Sequence, residues 1–196
     1  AADCRHRFDQ RAAHAADGSG TAPRAPGPLR LLFVGRFDEP RKGLRHLLAA
    51  AVLLRERGRE FELRVVGPGD PQPFHDLARR SGAVFAGRVD DHELSAMYHC
   101  CDVFCAPSTH GESFGVVLIE AMASGRPLVA SEIPGYRDAT AGAAMLVPPA
   151  NPEALADAIV RTADDECLRR ALVGRGWHRA HQLAWSRVAL SLNELY

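Results

Sequence analysis

The chain is nearly without lysine: Lys42 stands alone against 23 arginines in 196 residues. High-GC codon usage accounts for that excess, and for the many alanines, without reference to function. It also leaves a single compact ammonium where the rest of the chain uses planar guanidinium groups, and the two are not interchangeable. An excess of either charge is missing too. Lys+Arg 24 against Asp+Glu 24 leaves a formal net charge of zero, which excludes broad electrostatic binding to nucleic acid or to an anionic membrane. No apolar run reaches the ~18 residues of a membrane span, and the chain does not open on a charged-then-apolar leader. These absences predict a soluble, cytoplasmic protein. Cysteine is scarce and odd in number: Cys4, Cys100, Cys101, Cys105 and Cys167. Neither a disulfide framework nor a pair of separated zinc-ligand couples fits that spacing. Even with His99 and His110 nearby, buried reduced thiols and no metal site are expected.

What remains is ordinary globular material, 46% apolar and 24% charged, enough for one domain. Residues 1–27 are rich in Ala, Arg, Gly and Pro with Phe8 as their only large apolar side chain, and read as a linker or leader. Residues 28–196 alternate short apolar strands with helices. Strands are predicted near 29–35, 61–66, 83–86, 103–106, 127–130 and 144–147. Helices are predicted near 43–56, 73–81, 91–99, 115–124, 152–164, 166–181 and 186–195. Asp90 or Asp91 caps the third helix, and Gly125 stops the fourth. Asn151 caps the fifth, with Pro152 at its first position. Continuous apolar strands between helices predict a doubly wound, Rossmann-like α/β domain with a parallel sheet, whose ligands bind at the carboxyl ends of the strands.

Three glycine-bearing loops fall at those ends. Gly35-Arg36-Phe37-Asp38-Glu39-Pro40-Arg41-Lys42-Gly43 leads from the first strand into a helix. Its basic residues and the free N–H groups of the helix suit a diphosphate, while local pairing of Asp38, Glu39 and Arg41 would make it a plain surface turn. Gly67-Pro68-Gly69-Asp70 is a tight turn rather than a dinucleotide fingerprint, because Gln72 replaces the third glycine and Pro71 and Pro73 interrupt the helix start. His110-Gly111-Glu112-Ser113-Phe114-Gly115 enters the helix that carries Glu120. With 11 glutamates in the chain, about 0.6 pairs at the Glu112–Glu120 spacing arise by chance, so context carries the reading. Glu112 precedes the helix and Glu120 lies within it, and one ligand across the helix N-terminus meets both. Alternatively Glu112 caps the helix and Glu120 is a surface residue.

Taken together, Gly35-Arg36 through Lys42-Gly43, Gly67 to Gly69, and Glu112-Ser113-Phe114-Gly115 through Glu120-Ala121-Met122-Ala123-Ser124-Gly125 resemble the donor-binding half of retaining group 1 (family 4) glycosyltransferases of the GT-B fold. GRFDEPRKG and CAPSTHGESFGVVLIEAMASG are most similar to the phosphatidylinositol mannosyltransferases that use GDP-mannose. The resemblance spans about residues 29–196, including Trp185-Ser186. It implies that Arg36 and Lys42 neutralise the donor diphosphate and the leaving nucleoside diphosphate. Glu112 then accepts hydrogen bonds from the transferred hexose. Gly35, Gly67 and the backbone at Phe114, Gly115 and Val116 hold sugar and phosphate, Glu120 binds the ribose hydroxyls, and Val89 and Asp91 contact the nucleobase. Arg36, Lys42 and Glu112 are the catalytic set.

No cofactor is implied beyond the nucleotide-sugar substrate. At Leu94 the subgroup carries a lysine, so a UDP-sugar stays open beside GDP-mannose. The family also has an N-terminal acceptor domain, which residues 1–27 do not supply; Arg7-Phe8-Asp9 stands where the interdomain linker has its short motif. The expectation is therefore half of a larger enzyme. Its partners are a nucleotide sugar and a lipid or glycan acceptor, its place the cytoplasm or the inner face of the plasma membrane. A non-catalytic sugar-nucleotide-binding module is the alternative.

Overall fold

The computed structural model describes residues 27–112 and 115–183. Six strands, β1 (Leu29–Val34), β2 (Phe61–Val66), β3 (Val84–Gly87), β4 (Val103–Ala106), β5 (Leu128–Ser131) and β6 (Ala144–Val147), form one sheet in the order β3-β2-β1-β4-β5-β6. Each neighbouring pair is parallel. The strand order reverses between β1 and β4, which makes the gap beyond their carboxyl ends the switch point of a doubly wound fold.

Seven α-helices among the described residues cover the sheet: α1 (Leu44–Glu56), α2 (His75–Ser81), α3 (Asp91–Cys100), α4 (Val116–Ala123), α5 (Pro134–Thr140), α6 (Pro152–Asp164) and α7 (Glu166–Gln182). Alternation along the strands sorts the core into two layers. Leu29, Leu31, Phe33, Leu63, Val65, Val103, Cys105 and Val129 face α1 and α6. Leu32, Val66, Phe104, Ala106, Leu128 and Ala130 face Tyr98 of α3, Leu118 and Met122 of α4 and Tyr136 of α5. Both faces being covered explains why the strands read as apolar runs. At the amino end of the sheet Arg30 donates to Asp102 through Nε (3.1 Å) and Nη2 (2.9 Å), while Asp102 N–H donates to Arg30 O (2.7 Å), fixing β4 beside β1.

Predicted boundaries shift by a residue at several ends. The first strand stops at Val34, and α1 starts at Leu44, with Gly43 outside it in a left-handed conformation. Asp90 is the cap of α3, its carboxylate accepting from Glu93 N–H at 2.7 Å, and Asn151 caps α6 through Ala154 N–H at 2.9 Å. The reading near 73–81 resolves into a 3-10 turn, Gln72–Phe74, followed by α2. One helix was missing from it: α5, between β5 and β6. Its opening Pro134-Gly135 looks like a turn, and seven residues hold fewer than two turns of periodicity. Proline is at home in a first helical turn, and the buried Tyr136, Ala139 and Thr140 hold the segment to the sheet.

Among the described residues Cys100, Cys101 and Cys105 are buried thiols and Cys167 is an exposed one. Burial pushes the Cys101 thiol up to about 12 and that of Cys105 further up, so both behave as apolar fillers. Among the described residues no helix is long and apolar enough to cross a membrane. The predicted helix 186–195, residues 1–26 of the predicted leader 1–27 and the Trp185-Ser186 match lie outside the described residues.

Candidate functional site

The three loops meet at the switch point because their backbones pack without side chains between them. Gly43 lies against the loop after β4: a Cβ there would sit 1.9 Å from Pro107 O. Gly67 lies against the loop after β1, where a Cβ would come within 2.2 Å of Gly35 O. Both have positive φ (71° and 130°), so glycine is required by conformation as well as by space. Hydrogen bonds complete the stitching. Gly35 N–H donates to Val66 O (2.9 Å), Phe37 N–H to Pro68 O (3.1 Å) and Thr109 N–H to Arg41 O (2.8 Å). Phe37 is buried beneath the loops against Phe74 and Phe85.

On this floor stands a charged cluster. Pro40–Lys42 form one 3-10 turn, which carries Arg41 and Lys42 toward the β4–α4 loop. Lys42 Nζ lies 2.6 Å from Glu112 Oε1, and Arg41 Nη1 lies 2.8 Å from the same oxygen. The other Arg41 Nη contacts Glu39 Oε2 at 2.7 Å. Ser108 Oγ donates to Glu112 Oε1 over a longer 3.4 Å and shares a 2.8 Å hydrogen bond with the buried Tyr136 hydroxyl. Burial holds that phenol up at about 12, so it remains a neutral hydrogen-bonding group. The Glu112 side chain is only 10% exposed. A carboxylate so enclosed needs this much compensation.

The helix beyond follows a different rule. Gly115, left-handed (φ 62°), is the N-cap of α4 and offers no side-chain cap. The alternative in which Glu112 caps this helix is thus set aside, since its described partners are Arg41, Lys42 and Ser108. Glu120, one turn into α4, accepts a 2.7 Å hydrogen bond on Oε2 from the Tyr98 hydroxyl of α3, rather than standing as a plain surface residue. Val116 is 60% exposed at the start of α4.

Other predicted residues are placed as follows. Arg36 is half exposed and points to Glu39, 3.5 Å away, rather than to the Glu112 cluster. Val89 is half-buried against the α3–α4 layer, and Asp91 is exposed at the first position of α3. Phe114 lies outside the described residues. Arg41, Ser108, Tyr98 and Tyr136 were not among the predicted site residues. Arg41 had a signal in its place beside Lys42, and Ser108 in its place in the polar run that ends at Glu112; Tyr98 and Tyr136 had none in their neighbours along the chain. Among the described residues no group of three or more His, Cys, Asp or Glu side chains is arranged to hold a metal.

The family profile described as Glycosyl transferases group 1 matches residues 28–165. The chain belongs to the group 1 glycosyltransferases. Over 192 residues it is 40% identical to the phosphatidyl-myo-inositol mannosyltransferase of Mycobacterium leprae, covering 92% of this chain and 50% of that protein. The solved sucrose-phosphate synthase of Thermosynechococcus elongatus is 32% identical, with a TM-score of 0.76 over 100% of this chain and 48% of that one. The C-terminal domain of a group 1 family glycosyl transferase from Francisella tularensis gives a TM-score of 0.69 over 81% of this chain and 87% of that one. At 23% identity that likeness shows the fold alone. The chain spans about half the length of the curated relatives it matches. Its doubly wound sheet is the Rossmann-like domain of a GT-B glycosyltransferase. In this group 1 domain the loops with the charged cluster lie at the carboxyl ends of β1, β2 and β4, the side on which doubly wound sheets take ligands.

Proposed function

We propose that this domain is the donor-binding half of a retaining hexosyltransferase that takes GDP-mannose, with a UDP-sugar as the second candidate. It passes the hexose to a lipid or glycan acceptor held by an N-terminal domain. The observation that carries the reading is the 2.6 Å approach of Lys42 to Glu112, with Arg41 beside them, at the switch point of the sheet. The M. leprae relative's name supports mannose as the sugar and a phosphoinositide as the acceptor.

In this reading cations of the chain, rather than a cofactor, meet the donor's charge. The Lys42 ammonium turns from Glu112 toward the diphosphate, and Arg36, half exposed on the same loop, swings in beside it. Charge that develops on the leaving diphosphate is then stabilised by groups already in place. Glu112, relieved of a cation, accepts hydrogen bonds from hexose hydroxyls. The backbone at Gly35, Gly67, Gly115 and Val116, with Phe114 by resemblance, lets sugar and phosphates approach closely, and the N-terminus of α4 adds its dipole. Val89 and Asp91 meet the nucleobase, and Glu120 the ribose. A lipid acceptor would place the whole enzyme at the inner face of the plasma membrane.

The test is calorimetric titration of the chain with GDP, UDP, ADP and their sugars. Binding of one nucleoside diphosphate and its hexose derivative, lost in Lys42→Ala, is expected. Binding indifferent to Lys42→Ala would send the loop back to a surface turn. Transfer is a separate matter, because the acceptor must be held about 3–3.5 Å from the anomeric carbon, and domain closure must exclude water. The chain alone is expected to transfer radiolabelled mannose to phosphatidylinositol no faster than Lys42→Ala, with turnover restored by an N-terminal acceptor domain. Robust Lys42-dependent transfer by this chain alone contradicts that.

A further inference from the structure

Tyr98 is buried, 2% exposed, yet its hydroxyl reaches the polar side of α4 and donates to Glu120 Oε2 at 2.7 Å. Its ring is held by Phe104 of β4, with centroids 5.5 Å apart, and its backbone by α3, whose start is fixed by the Asp90 cap. A phenol so placed cannot itself touch a ligand in the loops. What it can do is remove one degree of freedom from a glutamate that otherwise has several rotamers, each costly to freeze on binding. The hydrogen bond occupies Oε2, and no described contact is made by Oε1. A fixed carboxylate with one oxygen committed presents the other in one direction, as recognition of a vicinal diol requires. The phenol is also neutral, and burial together with the Glu120 carboxylate raises its pKa further. It therefore orients Glu120 without cancelling the negative charge that makes the carboxylate a strong acceptor.

We infer that Tyr98 is a positioning residue for Glu120, holding its carboxylate so that the domain prefers a ribonucleotide over its 2′-deoxy counterpart. The inference rests on the donor-site reading above and deepens it: the sugar-phosphate cluster around Lys42 sets how tightly the nucleotide binds, and the Tyr98–Glu120 pair sets which pentose it carries.

The experiment measures affinities of the full chain for GDP and 2′-deoxy-GDP, and in parallel for UDP and 2′-deoxy-UDP. Variants are Tyr98→Phe, Glu120→Ala and the double variant, with Lys42→Ala as reference. Tyr98→Phe is expected to lower the ribo-over-deoxy preference by about fivefold, the worth of one hydrogen bond of ordinary strength, while affinity for the 2′-deoxynucleotide, which keeps only the 3′-hydroxyl, falls less. In the Glu120→Ala background Tyr98→Phe should change nothing further, since its effect runs through the carboxylate. Tyr98→Met, an apolar filler of similar reach, carries the same expectation should the Phe variant fold poorly. Equal weakening of ribo- and deoxyribonucleotides would mean that Tyr98 only supports the core, and an unchanged preference would overturn the inference outright. In either case Lys42-dependent binding by the wild-type chain leaves the donor-site reading standing. If the wild-type chain binds none of the four nucleotides, the donor-site reading falls and this inference with it.

Discussion

Glu112 and Glu120 flank the first turn of one short helix, yet the fold treats them in opposite ways. Glu112 sits on a loop, nearly enclosed, with Lys42, Arg41 and a serine hydroxyl converging on a single oxygen. Glu120 sits on the helix, and its described partner is one neutral phenol. The first carboxylate is therefore charge-compensated before any ligand arrives, so an incoming anion must compete with it for its cations. The second is oriented but keeps its charge, so a ligand need only bring hydroxyl donors. One glutamate is held by loops stitched together, the other by a helix packed on the core. They should fail under different insults.

The largest separation is expected from Gly43→Ala. The new methyl group would meet Pro107 O in a left-handed backbone, forcing apart the loops that bring Lys42 to Glu112. A loss of roughly 2–4 kcal/mol is expected in denaturant unfolding, with nucleotide affinity falling further than stability alone explains. Gly58→Ala is the control. It shares the positive φ (74°) but has open space, and should cost about 1 kcal/mol with binding intact. Equal costs would show that the close approach of the loops is not what holds the cluster.

Next comes Lys42→Ala, expected to weaken nucleoside diphosphate binding by roughly 1.5–3 kcal/mol, the size of a charge-assisted contact. Arg36→Ala should cost less on geometric grounds, because the guanidinium is half exposed and rests on Glu39. Calorimetry on both variants decides the ranking, and a larger loss in Arg36→Ala would mean that the loop rearranges on binding.

Glu112→Gln sharpens the contrast most directly. Without the carboxylate, Lys42 and Arg41 lose their resident counter-charge, so GDP should bind as well as before or up to about fivefold more tightly, by roughly 1 kcal/mol. GDP-mannose should bind less well, because an acceptor for the hexose is weakened. Parallel loss of both ligands would contradict a carboxylate that competes for the phosphate cations. The smallest effect belongs to Glu120→Ala, about 1 kcal/mol for ribonucleotides and less for their 2′-deoxy counterparts. Measuring 2′-deoxy-GDP alongside exposes any general damage.

Much of the architecture was legible because it rests on local rules. The alternation of apolar strands and amphipathic helices, the Asp90 and Asn151 caps and the glycine-bearing loops are short-range patterns, and each lies within a residue or two of its predicted place. The failure at α5 has the same origin: Pro134-Gly135 speaks for a turn, and only burial of Tyr136 and Ala139 against the sheet outweighs it. The place of Arg41 does not follow from its neighbours. Local pairing with Glu39 is present, but the same guanidinium also reaches Glu112, on the far side of the switch point.

The sequence by itself determined the fold class, the described elements other than α5 and the place of the three glycine-bearing loops, because periodicity, capping and backbone freedom act over a few residues. Only the tertiary structure decided which side chains meet. Arg41 and Glu112 are 71 positions apart in the chain, and Tyr98 and Glu120 22; no local pattern announces either pair. They become neighbours because β4 inserts beside β1 and because α3 and α4 share one face of the sheet. A hydrogen bond or ion pair forms only when such long-range packing brings the two groups within about 3 Å, and that distance belongs to the sheet, not to the sequence around either residue.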